Sequence, residues 1–289
     1  MIVANVGETL TGKARIAGVI GYPVGHSLSP RVHGYWLRHY RIDGAYIPMS
    51  VHPKNFAAAL AALSTLGFAG CNITVPFKEA ALATVDTASA EARRIGAVNT
   101  IVVGSNGLLN GSNSDASGFL ANIEAGCRGW RADRGPAVIL GAGGAARAVC
   151  VALQDGGAPE IRLANRTYSR AVAIAVDIGH PITPIPWEAR TEALRGAALL
   201  VNTTTLGMSG EPALDLDLTL LPRQAVVTDV VYSPLRTDLL QRAGAGGHPV
   251  VDGLGMLLHQ ARSGFAAWYG VDPEVTEALR GFVLAELVR

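Results

Sequence analysis

Few short runs restrict a fold as tightly as Ala137–Leu140 followed by Gly141-Ala-Gly143-Gly144-Ala-Ala146. A four-residue apolar run reads as a buried strand, and the Ala-rich stretch after the glycines reads as a helix. Between them lies G-x-G-x-x-A. The first glycine permits a tight turn and the second lets backbone N–H groups approach a pyrophosphate. The small last position lets the helix pack closely on the strand. This combination predicts a Rossmann-type unit with a dinucleotide at the helix N-terminus. The alternative is a Gly/Ala-rich turn that only permits close packing.

The next strand separates the two common dinucleotides. An NAD site carries an acidic residue about 20 residues on, for the ribose 2′-hydroxyl. Here that strand ends Leu163-Ala164-Asn165-Arg166-Thr167, with Arg170 one turn later and no carboxylate in place. A guanidinium forks readily onto a phosphate, so this turn predicts NADP. The competing reading is a solvated basic helix start.

Short apolar runs alternate with Ala-rich helical stretches along the whole chain, which predicts an α/β fold. Strands are expected over Ala14–Ile20, Ala45–Ser50, Ala69–Val75, Ile161–Ala164, Ala198–Asn202, Ala225–Val231 and Val250–Val251. Helices are expected over Pro30–Tyr40, capped by Ser29, and over Asn55–Leu66. A hairpin is expected over Val98–Val103 and Leu108–Asn110. Asp115 then opens a helix as its N-cap, running to about Cys127. The Gly/Arg-rich stretch Gly126–Pro136 reads as a loop, and the tail from Asp252 is helical, with Asp272-Pro273 capping the last helix. These breaks predict two domains: residues 1–115 with 252–289, and an inserted domain over 116–251.

With 289 residues, 49% hydrophobic and 16% charged, the chain is far from the disordered class. Lys and Arg number 24 against 23 Asp and Glu, a net of +1. No basic field exists to attract nucleic acid or an anionic membrane. Phe56–Gly70 is too short and interrupted to span a bilayer, and the N-terminal stretch lacks the pattern of a signal peptide. Cys71, Cys127 and Cys150 form no CxxC and suit reduced thiols, so a cytoplasmic location is expected. The 7 histidines show no ligand-like spacing, so no metal is expected. No GxSxG is present for serine nucleophile chemistry.

Four motifs outside the glycine turn carry chemistry. Gly21-Tyr-Pro-Val-Gly-His-Ser27-Leu-Ser29-Pro30 puts two hydroxyls near a helix N-terminus. They read either as cap and turn residues or as donors to a small carboxylate. Asn72-Ile-Thr74-Val-Pro76-Phe-Lys78 follows a strand and leaves a lysine just past its end, where ligands of open α/β sheets bind. Such a lysine serves acid–base chemistry or is simply a surface residue. Gly96-Ala-Val-Asn99-Thr100 and Gly111-Ser-Asn113-Ser-Asp115 flank the hairpin.

Together GYPVGHSLSP, NITVPFK, GAVNT, NSDASG, GAGGAARA, NRTYSRA, VNTTTLGM, DVVYSPLRT and DGLGMLLHQA, in this order, resemble the shikimate dehydrogenases, NADP-dependent enzymes of aromatic amino-acid biosynthesis. The likeness covers nearly the whole chain. It implies an N-terminal α/β substrate-binding domain, a Rossmann-type NADP-binding domain, and C-terminal helices returning to the first. By the same resemblance, Ser27 and Ser29 bind the substrate carboxylate. Thr74, Lys78, Asn99, Asp115, Tyr232 and Gln260 surround the ring, with Lys78 and Asp115 as the catalytic pair. Gly141, Ala142, Gly143, Gly144 and Ala145 cradle the pyrophosphate. Asn165, Arg166, Thr167 and Arg170 hold the 2′-phosphate, and Thr203, Thr204, Val230 and Gly253 line the nicotinamide side. The implied reaction reduces 3-dehydroshikimate reversibly, by a monomer or homodimer. Gly34 and Ser114 depart from the commonest family pattern, but neither removes a group assigned to chemistry.

Two rivals remain. A quinate/shikimate dehydrogenase would often carry threonine at one of the two serines and an acidic residue in the nucleotide loop. A sensor that binds shikimate or quinate without turnover would have no need of both Lys78 and Asp115.

Overall fold

The computed structural model describes residues 10–287 and contains two six-stranded sheets. The first part runs β1 (Arg15–Gly21), α1 (Ser29–His39), β2 (Gly44–Ser50), α2 (Phe56–Thr65), β3 (Phe68–Ile73), α3 (Lys78–Thr84), β4 (Thr87–Ala88), α4 (Ala90–Ile95), β5 (Thr100–Val103), β6 (Leu109–Ser112) and α5 (Asp115–Gly126). The second runs β7 (Ala137–Leu140), α6 (Gly144–Asp155), β8 (Ile161–Asn165), α7 (Tyr168–Ile178), β9 (Ile182–Pro186), β10 (Leu199–Asn202), β11 (Val226–Asp229), α8 (Asp238–Ala245) and β12 (Val250–Val251). Helices α9 (Leu254–Tyr269) and α10 (Glu277–Leu287) follow. The N-terminal stretch read against a signal peptide begins outside the described residues.

The first sheet has the order β2-β1-β3-β5-β6-β4 and is mixed. β1 lies parallel to β2 and β3, whereas β5 returns antiparallel beside β3 and pairs antiparallel with β6. The second sheet has the order β12-β11-β10-β7-β8-β9, with every pair parallel. Read from β9, this is the doubly wound order of dinucleotide-binding domains, with its switch point between β7 and β10. Burial on both faces explains why β7 is a continuous apolar run: Val138, Ile139 and Leu140 are all fully buried.

The tail returns to the first sheet, as expected. Leu254, Leu258, Phe265 and Trp268 of α9, with Leu279 and Val283 of α10, pack on Ala17, Val19, Val32 and Trp36. Two buried aromatics fix the register of that return. Trp268 Nε1 donates to the Ile101 carbonyl at 2.9 Å, and the Tyr269 hydroxyl donates to the Ala45 carbonyl at 2.8 Å.

The structure corrects several local expectations. Ser29 is the first residue of α1 rather than its cap; Leu28 holds the cap position, without a side-chain bond. Asp115 likewise begins α5 behind Ser114. Asp272-Pro273 does not cap the last helix: Asp272 takes the Arg262 guanidinium, and Thr276 Oγ1 accepts the Leu279 N–H at 3.2 Å. Strand β9 was hidden by Pro184 and Pro186, which an edge strand tolerates because no further strand needs an N–H at those positions. Helices α3 and α4 are one to two turns long, too short for a readable period. Among the described residues no helix is long and apolar enough to cross a membrane.

Candidate functional site

The chemistry-bearing side chains meet where the first sheet faces the glycine turn. β3 ends at Ile73, the chain turns through Thr74–Phe77, and Lys78 becomes the first residue of α3. The β5–β6 hairpin does the rest. Thr100 pairs with Ser112, and the Asn99 N–H donates to the Ser112 carbonyl at 3.0 Å. Asn99 before the hairpin and Asp115 after it therefore emerge side by side.

Lys78 Nζ donates to Asp115 Oδ2 at 2.5 Å, with the two side chains 17% and 4% exposed. Asn99 Nδ2 donates to the other carboxylate oxygen, Oδ1, at 2.9 Å and to Gln260 Oε1 at 3.2 Å. Four of the predicted residues, from α3, the turn before β5, α5 and α9, thus form one hydrogen-bonded cluster. A buried carboxylate with both oxygens held is a fixed partner for the ammonium, which is the arrangement a positioned proton donor requires.

Behind the cluster lies a layer that sequence reading missed. Asn72 Nδ2 donates to the Asn99 carbonyl and to Thr100 Oγ1, both at 3.1 Å. Its Oδ1 accepts from the Tyr46 hydroxyl at 2.6 Å. Ser114 Oγ donates to the Gln260 carbonyl at 2.9 Å, tying α9 to the start of α5. The available signal was polar residues at positions of strand burial, such as Asn72 in the run Cys71–Ile73.

Ser27 and Ser29 sit at the mouth of α1, where the Ser29 N–H donates to Ser27 Oγ at 3.3 Å; Ser29 is buried and Ser27 half-buried. Thr74 is adjacent, its N–H bound to the Ile20 carbonyl at the end of β1 at 2.9 Å. Tyr232 follows β11 in the other half of the chain. Burial raises its hydroxyl pKa, opposed by the Leu28 backbone, which reaches that hydroxyl between the two serines. No direct bond joins the serine loop to the Lys78–Asp115 cluster.

The glycine turn lies at the switch point. Gly141 has φ +108°, and a Cβ there would stand 2.7 Å from Thr203 Oγ1, so only glycine suits the crossing of β7 and β10. Thr203 Oγ1 donates to the Leu140 carbonyl at 2.7 Å. Ala142 is buried behind the turn, while Gly143, Gly144 and Ala145 are half-buried at its open side. A Cβ on Gly143 would have no atom within 4 Å, leaving open space beside the N-terminus of α6. A Cβ on Gly144 would lie 3.1 Å from Lys78 Cδ. The lysine therefore runs across the glycine turn itself.

Asn165, Arg166, Thr167 and Arg170 cluster at the start of α7. Asn165 Nδ2 donates to the Thr167 carbonyl at 2.8 Å, shaping the turn, and both arginines are exposed. Arg170 pairs with Glu79 of α3 at 3.3 Å. On the other side, Asn202 organises the loop after β10: its Oδ1 accepts from Thr204 Oγ1 at 2.7 Å and its Nδ2 donates to Asp229 Oδ1 at 3.0 Å. Asp229 also accepts from Thr237 Oγ1 at 2.8 Å. Burial raises its pKa to about 6, against the lowering effect of the Val231, Thr237 and Asn202 hydrogen bonds. The Val230 N–H donates to the Asn202 carbonyl at 3.0 Å, and a Cβ on Gly253 would stand 2.6 Å from the Val230 carbonyl carbon. One buried carboxylate thus shapes the loop carrying Thr203 and Thr204 and the one carrying Val230, with Gly253 packed against it.

These residues fit NADP. The open cradle at Gly143 and the helix N-terminus suit a pyrophosphate, and Arg166 and Arg170 suit a 2′-phosphate.

Comparison with known proteins agrees with this geometry. Residues 19–101 match the family described as shikimate dehydrogenase substrate binding domain, and 129–208 match shikimate / quinate 5-dehydrogenase. A shikimate dehydrogenase (NADP(+)) of Paramagnetospirillum magneticum is 58% identical over 276 residues, covering 96% of this chain and 100% of the relative. The shikimate 5-dehydrogenase of Thermus thermophilus, solved in complex with NADP(H) and shikimate, is 39% identical, with TM-score 0.83 over 94% of this chain and 99% of that one. The quinate dehydrogenase of Corynebacterium glutamicum, solved with NAD, is 32% identical, with TM-score 0.86 over 94% and 99%. With that identity along nearly its full length and both family matches in order, the chain belongs to the shikimate dehydrogenase family.

Proposed function

We propose that this chain catalyses the reversible, NADPH-dependent reduction of 3-dehydroshikimate to shikimate in aromatic amino-acid biosynthesis. The observation that carries the reading is the Lys78–Asp115–Asn99–Gln260 cluster with its lysine lying across Gly144 of the dinucleotide turn.

Ser27 and Ser29 hold the substrate carboxylate at the α1 N-terminus, with Tyr232 and Thr74 beside it. Asn99, Asp115 and Gln260 orient the ring hydroxyls. When bound, the cofactor supplies a hydride to the carbonyl carbon. As that bond forms, the C=O π pair moves to oxygen, and Lys78 donates a proton from Nζ to complete the hydroxyl. Asp115 keeps the ammonium aimed, and Asn99 keeps Asp115 aimed. A positioned proton donor of this kind contributes about 10²–10⁴ in rate. In the oxidative direction Lys78 must accept that proton.

Gly141–Ala145 take the pyrophosphate. Asn165, Arg166, Thr167 and Arg170 take the adenosine end, and Thr203, Thr204, Val230 and Gly253 take the nicotinamide side. We place the substrate domain at residues 1–115 and 252–289 and the cofactor domain at 116–251. Free Cys71, Cys127 and Cys150 suit the reducing cytoplasm, and we read the protein as a monomer or homodimer without nucleic-acid or membrane partners.

The test is reduction of NADP⁺ and NAD⁺ with shikimate and quinate offered in parallel. Fast turnover of shikimate with NADP⁺ alone is the expected result. Comparable turnover of quinate, or a preference for NAD⁺, moves the protein to quinate/shikimate dehydrogenase. Binding without turnover makes it a sensor.

A further inference from the structure

We infer that Glu79 is a built-in competitor for the cofactor's 2′-phosphate and thereby sets how strongly the enzyme prefers NADP over NAD. The inference rests on the cofactor reading above. Glu79 is the second residue of α3, next to Lys78, and its carboxylate reaches across to Arg170 Nη2 of α7 at 3.3 Å. Both side chains are about half exposed, at 48% and 56%.

The pair differs from the other bridge between these two parts of the chain. Arg94 of α4 binds both Asp155 and Gln154 at the far end of α6. Neither partner belongs to a ligand site, so nothing displaces that bridge. Arg170, in contrast, stands in the first turn of α7 beside Arg166, where a 2′-phosphate arrives. Among the described residues no carboxylate pairs with Arg166, and Glu79 is the carboxylate that Arg170 faces. A dianionic phosphate and a carboxylate then compete for one guanidinium fork. Binding NADP draws the Arg170 guanidinium from Glu79 to the phosphate, which opens the pair. NAD, with a neutral 2′-hydroxyl, leaves it closed. The negative charge on Glu79 therefore weakens NADP selectively.

Calorimetric titration of the enzyme without substrate tests this, using NADP⁺ and NAD⁺ on wild type, Glu79→Gln, Arg170→Gln and the double variant. Glu79→Gln should tighten NADP⁺ about two- to five-fold, the worth of an exposed ion pair, and leave NAD⁺ unchanged. In the Arg170→Gln background the same substitution should have no effect. An unchanged NADP⁺ affinity, an equal gain for NAD⁺, or a gain that survives without Arg170 would overturn the inference. A wild type that binds NADP⁺ no tighter than NAD⁺ would instead overturn the cofactor reading, and the inference with it.

Discussion

Replacing Lys78 with methionine isolates the ammonium, because methionine keeps most of the side-chain length lying over Gly144. The lysine donates to an almost fully buried carboxylate at 2.5 Å, so its loss has two consequences of different kinds. Turnover should fall by about 10²–10⁴, because the developing alkoxide loses its proton source. That range corresponds to about 3–5 kcal/mol of transition-state stabilisation. Stability should fall by about 1.5–3 kcal/mol, because Asp115 Oδ2 loses a charged donor while Oδ1 keeps Asn99. The double variant Lys78→Met/Asp115→Asn removes the orphaned charge. It should recover part of that stability and none of the turnover. Steady-state kinetics of 3-dehydroshikimate reduction by NADPH, beside urea unfolding of the same samples, separates the two effects. KM for 3-dehydroshikimate should stay within a few-fold of wild type. Near-normal kcat in Lys78→Met, or recovered kcat in the double variant, would refute the proton-donor role.

His33 should make the protein acid-labile. It is fully buried, stacked on Tyr46 at 3.9 Å, and neither ring nitrogen has a hydrogen-bond partner. Burial lowers its pKa from 6.5 to about 3, outweighing the nearby Asn72 carboxamide. The unfolded chain therefore binds a proton between those values that the folded chain refuses. The contribution is complete above pH 6.5 and is lost as pH falls towards 3, by up to about 1.4 kcal/mol per pH unit. Denaturant midpoints of His33→Leu should lack that part of the slope; an identical slope in both proteins contradicts the assignment. In the glycine turn, Gly143→Ala should unfold like wild type, since its methyl meets nothing within 4 Å, yet bind NADP⁺ about tenfold or more weakly because the cradle is filled. Gly141→Ala should lose roughly 1–2 kcal/mol of stability outright, because φ is +108° and Thr203 is in the way. The reverse ranking in melting temperature would mean that the turn is shaped otherwise.

The cofactor half was readable because its determinants are local. G-x-G-x-x-A is a backbone requirement written in consecutive residues, and Arg166 lies at a set distance along the next strand. The substrate half was readable as motifs, and Lys78, Asn99, Asp115 and Gln260 do converge. Local details failed where two signals competed. Serine beside proline suggested a cap at Ser29, but the Ser29 N–H turns to Ser27 instead. Two prolines disguised β9, because only its position at the sheet edge makes them harmless.

By itself, then, the chain's order of residues determined the α/β class, the dinucleotide turn and the choice of NADP. Each follows from period, spacing or residue type within a short window. Tertiary structure alone decided the contacts between distant segments: Lys78 against Gly144, Asn72 behind Asn99, and Glu79 against Arg170. The physical reason is that a hydrogen bond or an ion pair depends on a separation of a few ångströms. Only the packing of two sheets and α9 sets that separation for residues many positions apart.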